Sequence, residues 1–181
     1  NKVIVINKNN KKSNKFNSDA MITNIKGYAL GVVTADCVPI LLCDIKNKSI
    51  GCIHAGWKGA FSNIIENTIK KFKKLNSNNE IFASIGPCIG KESYEVDVNF
   101  YNKFISKSKK NKVYFTNKNN IKKLFNLRKY INDKLLKLNV KVDHVNHDTF
   151  KKKNQFFSYR RSKKFHEKDY GRCISVISLV S

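Results

Sequence analysis

The chain has 181 residues, 41% of them hydrophobic and including 12 Phe and 7 Tyr, which is enough for one substantial core and unlike a disordered polymer. Its formal charge is +23, yet only 4 of the 36 basic residues are Arg (Arg128, Arg160, Arg161, Arg172). Bidentate base and phosphate contacts use Arg, so this composition favours a solvated lysine surface over a specific nucleic-acid face.

No apolar run approaches the roughly 18–20 residues of a membrane span, and no secretory pattern opens the chain. Five cysteines, an odd number set mostly in apolar stretches, are unlike a disulfide scaffold. A cytoplasmic protein with no membrane and no specific nucleic-acid partner is expected, as a monomer or weak homodimer.

NKVIVI reads as a strand already under way at Asn1, with no Met before it, so a fragment or processed product is expected. A turn-rich segment, Asn7–Ser18, follows. Tyr28–Val33, Val38–Cys43 and Ser49–His54 are short, almost continuously apolar runs that predict buried strands. Pro39 argues for a strand start or an irregular edge. Phe61, Ile64, Ile65, Thr68, Ile69, Phe72 and Leu75 recur at helical steps and predict a helix over Ala60–Leu75, ended by Asn76–Asn79.

Ile81–Ile85 is a further predicted strand, stopped by Gly86-Pro87. A short helix over Asp97–Ile105 and a strand at Val113–Phe115 come next. Leu124, Leu127, Ile131, Leu135 and Leu138 predict a second helix over Ile121–Leu138. Strands are expected at Val142–Val145, Phe156–Tyr159 and Cys173–Val180, with loops at Lys151–Asn154 and Ser162–Tyr170. With no repeat, no linker and no G-x-G-x-x-G, residues 1–181 read as one α+β domain, a mixed α/β arrangement of many short strands and two long amphipathic helices.

Chemistry-bearing residues collect where apolar runs end. Cys37 follows Asp36 in TADC, and His54 precedes a glycine-rich turn in HAGWKG. A thiolate and an imidazole are half of a zinc shell, or a nucleophile and its base, or a buried thiol beside a hydrogen-bonded histidine. Asp36, a carboxylate among apolar residues, needs a partner. It can orient a histidine, contact substrate, or cap a turn, and Asp19 in SDAM has a weaker version of the same claim.

Cys88 in SIGPCIG lines a pocket or packs a Gly/Pro turn. In FFSYRR, alternation sends Arg160 and Arg161 to opposite sides, so one of them faces any pocket, where it holds phosphate or closes a salt bridge. His144 and His147 form a weak candidate pair. Cys43, Cys52 and Cys173 read as inert core residues.

TADCVPIL, HAGWKG, SIGPCIG with YEVD, and FFSYRR occur in order along the whole chain, with Cys37 seventeen residues before His54. Together they resemble the laccase-domain or multicopper polyphenol oxidoreductase family, now described as zinc-dependent purine nucleoside phosphorylases. The resemblance implies a zinc ion held by Cys37, His54 and a histidine upstream of Asn1, in a domain lacking its usual N-terminal segment. It implies phosphorylase, adenosine deaminase and methylthioadenosine phosphorylase activities, with purine nucleosides and phosphate as partners.

On that reading Cys37, His54 and Asp36 are catalytic. Lys58, Arg160, Cys88 and the Gly56–Gly59 backbone bind substrate or phosphate. The copper of the older family name fits poorly with four histidines. Where members carry Cys-Thr-Tyr, this chain has Asp148-Thr149-Phe150, which puts a thiol role there in doubt. The broad fold is expected to resemble that of deamidating toxins. The alternatives are therefore a metal-independent Cys–His hydrolase built on Cys37 and His54, or a truncated inactive member.

Overall fold

The computed structural model describes residues 1–10, 17–75 and 78–180, so parts of the expected turns over Asn7–Ser18 and Asn76–Asn79 lie outside the described residues. The strands are β1 (Val3–Ile6), β2 (Ala20–Thr23), β3 (Tyr28–Thr34), β4 (Val38–Asp44), β5 (Ser49–Ala55) and β6 (Ile81–Ile85), then β7 (Glu95–Asp97), β8 (Phe115–Asn117), β9 (Lys122–Phe125), β10 (Lys141–His144) and β11 (Cys173–Leu179). The helices are α1 (Trp57–Phe61), α2 (Ile64–Leu75), α3 (Val98–Lys107), α4 (Leu127–Lys137) and α5 (Tyr159–Lys164).

A six-stranded mixed sheet runs in the order β1-β2-β5-β4-β6-β10. Only its outer pairs, β1 with β2 and β6 with β10, are parallel. Both faces of its centre are covered, which is why β4 and β5 read as continuous apolar runs rather than alternating ones. One face carries α2 and α4, whose Ile64, Ile65, Ile69, Phe72, Ile131 and Leu135 are buried with Ile22, Ile40, Leu42 and Ile53. Across the other face lies the antiparallel ribbon β11-β3, closing a smaller core around Leu30, Val32, Ile50 and Cys52.

Several expected elements change at capping residues. The first long helix divides because Asn63, at φ 69°, adopts the left-handed conformation that asparagine tolerates. The second expected helix starts late. Asn126 caps α4 by accepting from Lys129 N at 2.9 Å, and the preceding residues form β9 beside β7 and β8. Instead of two long helices, the described residues form three of 10 to 12 residues.

The strand expected at Phe156–Tyr159 is the lead-in to a helix. Ser158 caps α5, accepting from Arg161 N at 3.1 Å. Val113 and Tyr114 lie in a 3-10 turn over Lys109–Tyr114. Strand β4 is central, and Pro39 sits near its start opposite His54, its carbonyl accepting from Gly86 N at 2.9 Å.

Helix α3 and the three-stranded sheet β7-β9-β8 enclose an aromatic cluster. Phe104 packs 4.9 Å from each of Phe61, Phe100 and Phe125, and Phe115 stacks on Phe125 at 4.8 Å. Trp57 joins through Phe100 at 4.8 Å, so the aromatic core reaches the start of α1. That contact carries the core to the edge of the cleft described next.

Candidate active site

A cleft of about 280 Å³ opens at one end of the six-stranded sheet, lined by Ala35, Asp36, Cys37, Trp57, Ile89, Tyr94, Leu127, Tyr159 and Arg160. It lies where the β3–β4 turn, the 88–94 loop and the start of α5 meet. The motif residues of the sequence therefore come together from distant parts of the chain.

Asp36 is the knot. Its backbone has φ 80°, rare for a residue with a Cβ, and its side chain is buried. The carboxylate accepts from Thr149 Oγ1 at 2.7 Å, Ser158 Oγ at 2.9 Å and Arg160 N at 2.6 Å. Its main-chain carbonyl accepts from Ile89 N at 3.0 Å.

The two arginines point to different surroundings, and a helix start rather than the expected strand alternation divides them. Arg160 lines the cleft, with its guanidinium donating to Glu95 O at 2.8 Å and lying 5.2 Å from the Tyr94 ring centre. Arg161 is buried and donates to the carbonyls of Thr149 (2.8 Å), Phe150 (3.1 Å) and Phe156 (2.6 Å).

Cys37 and His54 fare differently. The β4–β5 register pairs Val38 with Ala55 and Pro39 with His54. Cys37 then faces Gly56, where an added Cβ would lie 2.9 Å from Cys37 Sγ. The thiol enters the cleft, and burial, with a smaller contribution from the Asp36 charge, pushes its pKa up to about 11. His54 lies on the same face of the ladder but is not among the residues lining the cleft. Desolvation by neighbouring chain lowers its pKa, and Asp19 opposes that shift. Asp19 is itself engaged by the Asn1 amino group at 2.8 Å and Lys2 N at 2.9 Å.

The zinc expectation requires correction, and the copper of the older family name finds no ligand set among the described residues either. Among the described residues no group of three His, Cys, Asp or Glu side chains is placed to hold a metal ion. Asp36, the acid nearest Cys37 in sequence, is already occupied by three donors. The described residues do not fit a metal centre.

Other expected site residues lie outside the cleft. Lys58 is exposed, its ammonium 5.7 Å from the Trp57 ring centre. Cys88 is fully buried in a bridge with Asp148, its thiol pushed up to about 12 mainly by burial. Asp148 holds a turn: it accepts from Ser93 Oγ at 2.6 Å and Phe150 N at 2.9 Å. His147 contacts Lys152 Nζ at 3.0 Å and His144 contacts Asn132 at 3.1 Å, so the two histidines face different partners.

Three aromatic wall residues, Trp57, Tyr94 and Tyr159, were not among the expected site residues, although they lie in HAGWKG, YEVD and FFSYRR. A second cleft of about 330 Å³ by Leu41, Cys43, Phe82 and Val142 is almost wholly apolar and is lined by none of Asp36, Cys37, His54, Lys58, Cys88 and Arg160.

The family described as multi-copper polyphenol oxidoreductase laccase matches residues 1–180. The chain belongs to that family. Among its relatives, Purine nucleoside phosphorylase RP494 of Rickettsia prowazekii (strain Madrid E) is 40% identical over 149 residues, covering 80% of this chain and 61% of that protein. Purine nucleoside phosphorylase YfiH of Escherichia coli (strain K12) is 31% identical over 166 residues, covering 90% of this chain and 64% of that protein. The chain thus spans less than two thirds of the length of these relatives.

The solved structure of Neisseria meningitidis protein NMB0706 superposes with a TM-score of 0.84 at 28% identity, covering 98% of this chain and 71% of that one. Bacillus licheniformis hypothetical protein YfiH gives 0.86 at 24% identity, with 98% and 70% covered, and speaks to the fold alone. The laccase-family architecture is therefore a mixed α/β fold shared with these proteins, which corrects the expected deamidating-toxin-like cysteine hydrolase fold. The thiol chemistry agrees with that correction. Burial that pushes the Cys37 pKa up disfavours the thiolate that a metal-independent Cys–His hydrolase would need.

Proposed function

We propose that the cleft binds a purine nucleoside and phosphate for phosphorolysis, the reaction named for the relatives at 40% and 31% identity. The observation that carries the reading is one guanidinium, Arg160, facing a cleft walled by Trp57, Tyr94 and Tyr159. The rings offer flat apolar surface to a purine. The guanidinium offers paired donors to phosphate.

In the reaction a phosphate oxygen forms a bond to C1′ of the ribose as the C1′–N9 bond breaks. The bonding pair leaves with the purine, which takes up a proton. Arg160 would hold the phosphate, and the aromatic walls would orient the base. Cys37 keeps its proton at neutral pH and presents a weak S–H donor.

The test is chromatographic detection of free base from inosine or adenosine incubated with the full chain, with and without phosphate. Phosphate-dependent release of hypoxanthine or adenine, abolished in Arg160→Ala, supports the reading. Release that ignores phosphate, or none from either nucleoside, defeats it.

A further inference from the structure

We infer that Asp36 is a positioning residue, whose carboxylate sets the turn that aims Arg160 into the cleft. This rests on the phosphate role proposed for Arg160. Asp36 shares the cleft, so proton transfer or direct contact with the nucleoside would be the simpler assignment. Its hydrogen bonds argue otherwise. Three donors converge on the carboxylate, two hydroxyls and one amide, and all hold their protons at neutral pH. A group so engaged is fixed in place rather than free to carry protons.

What it fixes is the first turn of α5. Asp36 Oδ2 accepts from Arg160 N at 2.6 Å and from Ser158 Oγ at 2.9 Å, while Ser158 Oγ accepts from Arg161 N at 3.1 Å. Two N–H groups without helical partners are thereby satisfied by one carboxylate and one hydroxyl. The Arg160 backbone is tied to the floor of the cleft, and its side chain is tied to the wall through Glu95 O at 2.8 Å. On the other side, Arg161 holds the carbonyls of Thr149 and Phe150, so the segment that bonds Asp36 Oδ1 is itself clamped.

The left-handed backbone of Asp36 fits the same account. A φ of 80° carries a steric cost for aspartate, and such strain persists where surrounding bonds over-determine it. Here they join the β3–β4 turn to residues 113, 122 and 124 positions further along the chain.

Trp57 is the only tryptophan and lines the cleft, so its fluorescence reports binding without any need for turnover. The experiment titrates the full chain with inorganic phosphate and, separately, measures KM for phosphate and for inosine. In Asp36→Asn, phosphate affinity is expected to fall about tenfold while KM for inosine changes by less than about twofold. Ser158→Ala keeps the acid, removes one donor, and serves if Asp36→Asn fails to fold. It is expected to weaken phosphate about threefold with the same selectivity.

Phosphate affinity unchanged in either folded variant overturns the positioning role, as does an equal loss for phosphate and nucleoside. A wild-type chain that shows no phosphate response, or one that Arg160→Ala leaves intact, removes the phosphate reading itself. That failure is visible before any Asp36 variant is made.

Discussion

Two acidic residues hold opposite ends of Arg160, Asp36 through its carboxylate and Glu95 through its main-chain carbonyl, and their carboxylates are built in opposite ways. Asp36 is buried and bonded by neutral hydroxyl and amide donors. Glu95, on β7, is partly exposed and flanked by the ammonium groups of Lys118 and Lys122, while its main-chain carbonyl receives the Arg160 guanidinium. Directed bonds in a dry setting fix geometry and are costly to break. Two exposed lysines against a partly exposed acid form a screened pair of small value. The comparison assigns precision to the Asp36 side of the cleft and solubility and local charge balance to the Glu95 side.

The largest way to break that contrast is Asp36→Ala. It strips the acceptor from three buried donors, and a loss of about 3 kcal/mol or more in unfolding free energy is expected from denaturant titration. Arg161→Ala comes next. It leaves three inward-facing carbonyls without their donor, for an expected loss of about 2 kcal/mol. Arg160→Ala should cost less than about 1 kcal/mol because its main-chain bond to Asp36 survives. Equal destabilisation by the two arginine variants would erase the division of labour drawn between them.

Glu95→Gln is the smallest effect and sharpens the comparison through pH. Lys118 and Lys122 hold the Glu95 carboxyl down to about 2, from an ordinary value of 4.5. A depressed folded-state pKa stabilises above the unfolded value and loses that contribution as pH falls toward the folded one. The melting temperatures of wild type and Glu95→Gln should therefore differ slightly at neutral pH and converge between pH 4.5 and about 2. A gap that persists unchanged at pH 2, or that survives high salt at neutral pH, would contradict the screened-pair assignment.

The parts of this molecule legible in the sequence are those with a local signal. The apolar runs of β4, β5 and β6 and the helical spacing of Ile64, Ile65, Ile69 and Phe72 locate the sheet and α2 directly. Ser158 illustrates a signal present but outweighed. A serine ahead of YRR is a good helix cap, yet the adjoining Phe156, Phe157 and Tyr159 look like strand residues.

The partners of Asp36 carried no local signal at all. Thr149 and Ser158 lie 113 and 122 positions away, and only the folded chain brings them to the acid. The need for a partner was readable from an acid among apolar residues, but its identity was not. The zinc expectation failed for a related reason. Residue types matched a ligand set, while the fold directs Asp36 into a hydrogen-bonded turn and Cys37 into a cleft that His54 does not line.

The most direct test is a double-mutant cycle between Asp36→Asn and Arg160→Ala, read as phosphate affinity by Trp57 fluorescence. If the acid works through the arginine, Asp36→Asn weakens phosphate in the wild-type background and adds nothing once Arg160 is gone. Independent losses that sum in the double variant would contradict the account.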